Sequence, residues 1–302
     1  MGQRISALNV DLACDGKCEG CEKFFECTKP EKDEMFFRRR MARAHANLRG
    51  IKHKIISVGG KGGVGKTLVA VNLATALAMR GRKVTIIDQV FDGPCVPRMM
   101  GIEMKGLEWS DEGIIPCEGL LGIQVVSMGL IIPEDEPITW FHELKRGATE
   151  ELLTEVVYGE RDYLIVDVPA GTSSDTVNAL QYIPEIAGGT VVTVPSEVSQ
   201  SVAYKAARLL QSAKINVFGI IENMGVFKCP ECGEEVFLFQ AKGGERLAER
   251  LMVPFLGSIP VDSKVSECAD DGVPVTYKYP DSEAAKVFLN VAEEIEKRIW
   301  KG

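Results

Sequence analysis

The 302 residues are 45% hydrophobic with a formal net charge of −8. That is enough apolar material for one large buried core, and too acidic a balance for generic nucleic-acid binding, which needs clustered Lys and Arg. No run approaches the 18 uncharged apolar residues of a membrane span and the N-terminus is polar, so the expectation is a soluble cytoplasmic protein with neither a membrane nor a nucleic-acid partner.

In chain order the first feature is Cys14, Cys18, Cys21 and Cys27, part of a total of nine cysteines. Thiols this dense in such a chain point to metal or redox chemistry rather than to a disulfide framework, and four suffice to hold a cluster within one chain. The first three also have the spacing of radical-SAM enzymes, although the downstream chain is not a barrel of that class, and four metal-free thiols would be an oxidation liability. Pro30 then opens a helical pattern with Phe37, Met41, Ala44 and Leu48 on one face, closed by Gly50. Glu31, Asp33 and Glu34 precede Arg38, Arg39, Arg40 and Arg43, an order that suits the helix dipole, so the basic cluster reads as a solvated face. Residues 1–50 are expected to form a Cys-rich extension, and 51–302 the main domain.

The apolar run Ile55, Ile56, Ser57, Val58 reads as a strand and residues 68–79 as a helix. Between them Gly60-Lys61-Gly62-Gly63-Val64-Gly65-Lys66-Thr67 matches the P-loop pattern G-x4-G-K-[ST]. The residue types are those the chemistry needs. Glycines let successive backbone N–H groups curl around phosphate oxygens, Lys66 reaches the β- and γ-phosphates, and the Thr67 hydroxyl is placed for Mg²⁺. A nucleoside triphosphate site is therefore expected.

Further strands are predicted at 83–88, 123–128, 163–168, 190–194, 215–221 and 255–259, most of them separated by enough chain for a crossover helix. This pattern predicts an α/β fold: a three-layer P-loop NTPase with a largely parallel, doubly wound sheet, helices on both faces and ligands at the carboxyl ends of the strands. Asp88 and Asp167 each end an apolar strand, and Asn223 follows another. Cys229-x2-Cys232 is a knuckle whose two thiolates face one metal; two chains would supply four, enough for Zn²⁺ or a bridging 4Fe-4S cluster, and spacing alone does not choose. Cys95, Cys117 and Cys268 stand singly, where burial is the default. Residues 281–301 form an amphipathic pattern with Ala284, Phe288, Val291, Ile295 and Ile299 on one stripe and an acidic exposed side, favouring core packing over membrane docking.

The run from Lys61 to Thr67 resembles the deviant P-loop of the dimeric ATPases that include partition proteins, the division-site regulator MinD, nitrogenase iron proteins and the Mrp/ApbC iron–sulfur carriers. That resemblance implies a homodimer closed by ATP, with Lys61 reaching across to the partner's nucleotide. Many relatives have a hydroxyl residue where this chain has Leu68. Tyr163-Leu164-Ile165-Val166-Asp167, followed by Val168-Pro169-Ala170-Gly171-Thr172, looks like the Mrp/ApbC Walker B strand and switch loop, which gives Asp167 the Mg²⁺ shell. Gly93-Pro94-Cys95-Val96-Pro97 resembles the family's Gly-Pro-Ser-x-Pro segment. Just before it, where the family commonly reads Asp-x-Asp with the second carboxylate positioning the attacking water, this chain reads Asp88-Gln89-Val90. Valine neither orients water nor accepts a proton, so weak or lost turnover is expected beside intact binding.

Glu222-Asn223-Met224 resembles the adenine-reading element, with Asn223 as base contact. The Mrp/ApbC carriers have a cysteine pair where Cys229 and Cys232 stand and hold a labile cluster there between subunits, which favours iron–sulfur over zinc. Cys18-x2-Cys21-x5-Cys27 resembles the N-terminal cluster motif of the Nbp-type members. The resemblance as a whole implies an ATP-hydrolysing iron–sulfur assembly or carrier protein that passes a 4Fe-4S cluster to apo-protein acceptors. Lys61, Lys66, Asp88 and Asp167 take the catalytic roles; residues 60–68 and Asn223 hold nucleotide. A MinD-like regulator would need a basic membrane-targeting C-terminal helix. A nitrogenase-type electron donor would need a cysteine soon after Asp167, and residues 168–175 contain none.

Overall fold

Apolar runs buried on both faces and joined by crossover helices satisfy their backbone only as a parallel sheet between helical layers. The computed structural model has this architecture. It describes residues 30–300 apart from 103, 104, 134, 135, 137, 230, 240 and 241, with side chains from residue 39. The expected cluster ligands Cys14, Cys18, Cys21 and Cys27 lie outside the described residues.

The chain begins with α1 (Pro30–Asn47), β1 (Ile51–Gly59), α2 (Lys66–Met79), β2 (Val84–Asp88) and the short α3 (Val96–Met99). A hairpin of β3 (Glu108–Ser110) and β4 (Gly113–Ile115) follows, then β5 (Cys117–Glu118), β6 (Gln124–Val126), α4 (His142–Glu155), β7 (Arg161–Asp167) and α5 (Ser174–Tyr182). Next come β8 (Ile186–Thr193), α6 (Glu197–Ser212), β9 (Val217–Glu222), and a second hairpin of β10 (Phe227–Lys228) and β11 (Glu235–Val236). The last elements are α7 (Gly243–Leu251), β12 (Phe255–Ser258), α8 (Ser263–Asp270), α9 (Val275–Lys278) and α10 (Glu283–Trp300).

Eight strands form the central sheet in the order β12-β9-β8-β1-β7-β2-β6-β5, parallel except for β5 against β6. Because β7 inserts between β1 and β2, its end is flanked on both sides: Ser57 and Asp88 both lie opposite Asp167. Strand alternation sends neighbouring residues to opposite cores. Ile55, Ile86 and Ile165 pack with α2 and α10, while Ile56, Ile87 and Val166 pack with the second core of Leu152, Leu153, Ala203 and Leu210. Helix α2 is apolar nearly all round because it is sandwiched between the sheet and α10.

Helix α10 buries Phe288, Val291 and Ile295, and Arg80 and Arg82 both bond the buried Glu296, at 2.6 and 2.7 Å. It is a core helix, as its stripe predicts. Among the described residues no helix is long and apolar enough to cross a membrane.

The basic cluster on α1 departs from a purely solvated face. Arg40 pairs with Glu150, and Arg43 with Glu155 at 2.7 Å, both on α4. The Asn47 amide donates to the Leu153 and Val156 carbonyls, and Ala44 and Leu48 are fully buried in the second core. Charge and packing together fasten α1 to α4.

Candidate functional site

The P-loop leaves the centre of the sheet at Gly59 and feeds α2 at Lys66. Gly63 and Gly65 have φ of +78° and +88°, a left-handed backbone that favours glycine. A side chain on Gly62 or Gly63 would point into open space, so the outer face of the loop is clear for phosphate oxygens. Behind it, Lys66 is buried and its stem lies against Gly59, while Lys61 is exposed. The Gly171 N–H donates to the Gly59 carbonyl at 2.8 Å, stitching the loop after β7 to the base of the P-loop.

Asp88 and Asp167 are both buried beneath this loop. Burial, and then the charge of Asp167, push the Asp88 carboxyl well above the usual carboxylate range, against donors from Val90 N–H, Val96 N–H and the Ser127 hydroxyl. Burial likewise raises Asp167, opposed by Lys66 and by the Thr67 hydroxyl, which donates to Oδ2 at 2.5 Å. The other oxygen of Asp167 is buried without a hydrogen-bond partner. A hydroxyl, a carboxylate and an orphaned carboxylate oxygen beside a phosphate cradle form the hard-oxygen donor set that Mg²⁺ takes, and these residues fit it.

Asn223 approaches from the end of β9. Its Nδ2 donates to the Val64 carbonyl at 3.0 Å, a contact allowed only because Gly65 has no side chain: a Cβ there would stand 2.2 Å from that nitrogen. One of the two Asn223 amide N–H groups is thereby committed to the P-loop.

At the switch segment after β2, Val90 offers no carboxylate, and its N–H is held by Asp88 at 3.0 Å. The neighbouring Gln89 is buried on Thr149 of α4, at 2.8 Å. Asp92, two residues on, is exposed and engaged by Lys145 of α4 at 2.6 Å; Lys145 also lies 3.8 Å from Asp175 in α5. Helix α4 thus touches the segment after β2 and the first turn of α5, a role carried by residues with no motif of their own. Cys95 is exposed on the same segment, against the default of burial; Cys268 is buried and Cys117 lies between.

Cys229 and Cys232 sit at the tip of the β10–β11 hairpin, Cys229 half-buried and Cys232 exposed. The hairpin closes through Cys229 N–H to the Glu234 carbonyl and Gly233 N–H to the Cys229 carbonyl, both 2.9 Å. Backbone donors from Cys232, then from Glu231, hold the Cys229 thiol below its ordinary value, the state that binds metal. Among the described residues no three His, Cys, Asp or Glu side chains converge as a metal cage. Val236, Phe237, Leu238 and Phe239 follow the second cysteine as an exposed apolar run.

The family model described as the NUBPL iron-transfer P-loop NTPase matches residues 50–296. The chain belongs to this family. Among relatives of this NUBPL-type NTPase, the iron-sulfur cluster carrier protein of Saccharolobus solfataricus is 41% identical over 251 residues, 83% of this chain and 85% of that one. The iron-sulfur cluster carrier protein of Methanocaldococcus jannaschii is 38% identical over 287 residues, 95% and 97% of the two chains. A solved nucleotide-binding protein from Archaeoglobus fulgidus, in complex with ADP, is 34% identical with a TM-score of 0.69, covering 78% of this chain and 93% of that one. The expected fold and the resemblance to the Mrp/ApbC carriers both hold for this NUBPL-type chain.

Proposed function

We propose that the protein is an ATP-dependent carrier in the cytoplasm that holds an iron–sulfur cluster as cargo between two copies of itself and passes it to apo-protein acceptors. The observation that carries the reading is that the cysteine hairpin springs from the strand end that also supplies Asn223 to the P-loop, which sets cargo thiols and nucleotide at one end of one sheet.

In this reading the N–H groups of residues 60–68 cradle the phosphates and Lys66 neutralises the β/γ oxygens, with Asn223 accepting from adenine. Thr67 and Asp167 hold Mg²⁺, with Asp88 behind them. The ion, when bound, offsets the negative charge of the phosphates and of the two buried carboxylates. The exposed Lys61 extends toward the nucleotide of a second copy, and the exposed apolar run after Cys232 is the surface that copy covers. Two hairpins then contribute four thiolates, the number a 4Fe-4S cluster takes. Cys14, Cys18, Cys21 and Cys27 add a second cluster site on an N-terminal extension, residues 1–50, whose helix α1 is docked on the ATPase body.

Anaerobic purification with iron and sulfide counts and Mössbauer spectra tests this, on the natural chain and on a Cys229→Ala, Cys232→Ala double variant. The natural dimer is expected to carry 4Fe-4S signals that the variant partly loses. A colourless, zinc-loaded protein that takes up no iron on reconstitution would refute it.

Because Val90 stands where a water-orienting carboxylate is expected, and Asp92 is engaged by Lys145, hydrolysis should be slow. Val90→Asp is expected to raise phosphate release by about 100-fold, the low end of what a positioned base contributes. Equal rates in the two proteins would mean that another group already orients the water.

A further inference from the structure

The cysteine hairpin is an excursion that leaves the sheet after Asn223 and returns at α7. Beside its roots lies one buried side chain, Glu222, only 4% exposed. On the returning side, Gly244 N–H in the first turn of α7 donates to its Oε2 at 2.6 Å. From β12, the strand paired with β9, the Ser258 hydroxyl donates to its Oε1 at 2.9 Å. The leaving limb runs along the segment after β12: Gly225 N–H bonds the Ile259 carbonyl at 3.0 Å and Val261 N–H the Val226 carbonyl at 2.8 Å. Ile259 N–H in turn bonds the Glu222 carbonyl at 2.7 Å.

Packing here leaves no slack. A Cβ on Gly225 would lie 1.9 Å from the Ser258 hydroxyl and one on Gly244 would lie 2.8 Å from the Glu222 Cβ. The residue after Glu222 is Asn223, whose amide grips the P-loop at Val64. Next comes Met224, held at φ +56°, a left-handed turn unusual for a non-glycine residue, where the chain turns off toward the hairpin. A displacement of Asn223 by an arriving base would therefore reach the adjacent carboxylate, which holds the returning limb directly and the leaving limb through Ser258 and the segment after it. A hydrogen-bonded carboxylate in a buried site resists bending, so movement transmits instead of dissipating.

We propose that Glu222 is the positioning residue through which nucleotide occupancy at the P-loop sets the posture of the Cys229–Cys232 hairpin. The inference rests on the reading that this hairpin holds the cargo, but the linkage it describes is a property of the polypeptide and is measurable without any cluster.

The test is the alkylation rate of Cys229 and Cys232, read by mass spectrometry on cluster-free protein with and without Mg·ATP, in the natural chain, Glu222→Gln and Glu222→Ala. In the natural chain nucleotide is expected to change the rate by about fivefold or more, the lower bound of ordinary coupling between two sites. In Glu222→Ala the change should shrink to less than about twofold while Mg·ATP affinity stays within about threefold. Glu222→Gln, which keeps one acceptor, should recover part of the response, which a merely destabilised fold would not do selectively. Should Glu222→Ala not fold, Ser258→Ala removes one of the two side-chain bonds and is expected to reduce the response alone. A natural chain with no nucleotide response, or a Glu222→Ala or, failing that, a Ser258→Ala response equal to the natural one, overturns the proposal. A response lost in the variants of a protein that never accepts iron would uphold this linkage while refuting the cargo.

Discussion

Gly65→Ala is expected to weaken Mg·ATP binding by about 100-fold while leaving a folded protein. Gly65 sits at φ +88°, where an L side chain costs about 1–2 kcal/mol. Its new Cβ would also stand 2.2 Å from Asn223 Nδ2 and break the bond to the Val64 carbonyl, worth about 1 kcal/mol. The nucleotide-free loop relieves both by relaxing away from its phosphate-binding shape, since its outer face is open. Binding must then restore the strained shape, so the cost appears in affinity; roughly 2–3 kcal/mol corresponds to about two powers of ten. Calorimetric titration with Mg·ATP measures it, with circular dichroism to confirm the fold. A dissociation constant within about threefold of the natural one would mean that ATP does not use this loop geometry.

Glu150→Ala is expected to cost the fold about 2–4 kcal/mol and lower the melting temperature by about 5–10 °C. The Glu150 side chain is 5% exposed and receives Arg40 from α1 and the buried Tyr182 hydroxyl from α5. Burial and the Glu150 carboxylate both hold that tyrosine in its neutral form, as a donor. Truncation strips Tyr182 of this acceptor and unfastens α1 from α4 at its most buried charge. Arg40 is half exposed, so water screens its share, and the loss stays below that of a fully buried pair. Glu150→Gln keeps an acceptor for Tyr182 and should lose about half as much. Thermal melts of the three proteins decide it: equal stability of Glu150→Ala and the natural chain would show that α1 is held without the Arg40–Glu150 pair, by Ala44, Leu48, Asn47 and the Arg43–Glu155 pair.

The parts of this molecule that obey local rules were legible in the sequence. All seven apolar runs are strands, because burial on both faces demands unbroken apolar sequence. The phosphate loop was legible because backbone N–H groups can wrap an anion only through glycines. Strand β8 starts at Ile186 and not at residue 190 because Gly188 and Gly189 read as breakers. They are there for packing, since side chains would come within 2.5 Å of the Phe218 ring and 2.6 Å of Leu210. The β3–β4 and β10–β11 hairpins were not legible: they are two or three residues per strand and mostly exposed, with no hydrophobic period to find. Least legible were side chains whose partners are remote in sequence. Arg40 meets Glu150 across 110 positions, and Glu222 meets Ser258 across 36. Neither spacing is a motif, and a carboxylate at the end of an apolar strand predicts burial cost without naming its donor.

The two margins of the central sheet are meagre: β12 has four residues at one and β5 has two, running backwards, at the other. Copies of this chain therefore have little exposed backbone with which to zip margin to margin, the route to irreversible polymer. The pairing proposed above would fall instead to the loops at the strand tips, where contact depends on what those loops hold, and a pairing built that way could be undone in every round of use.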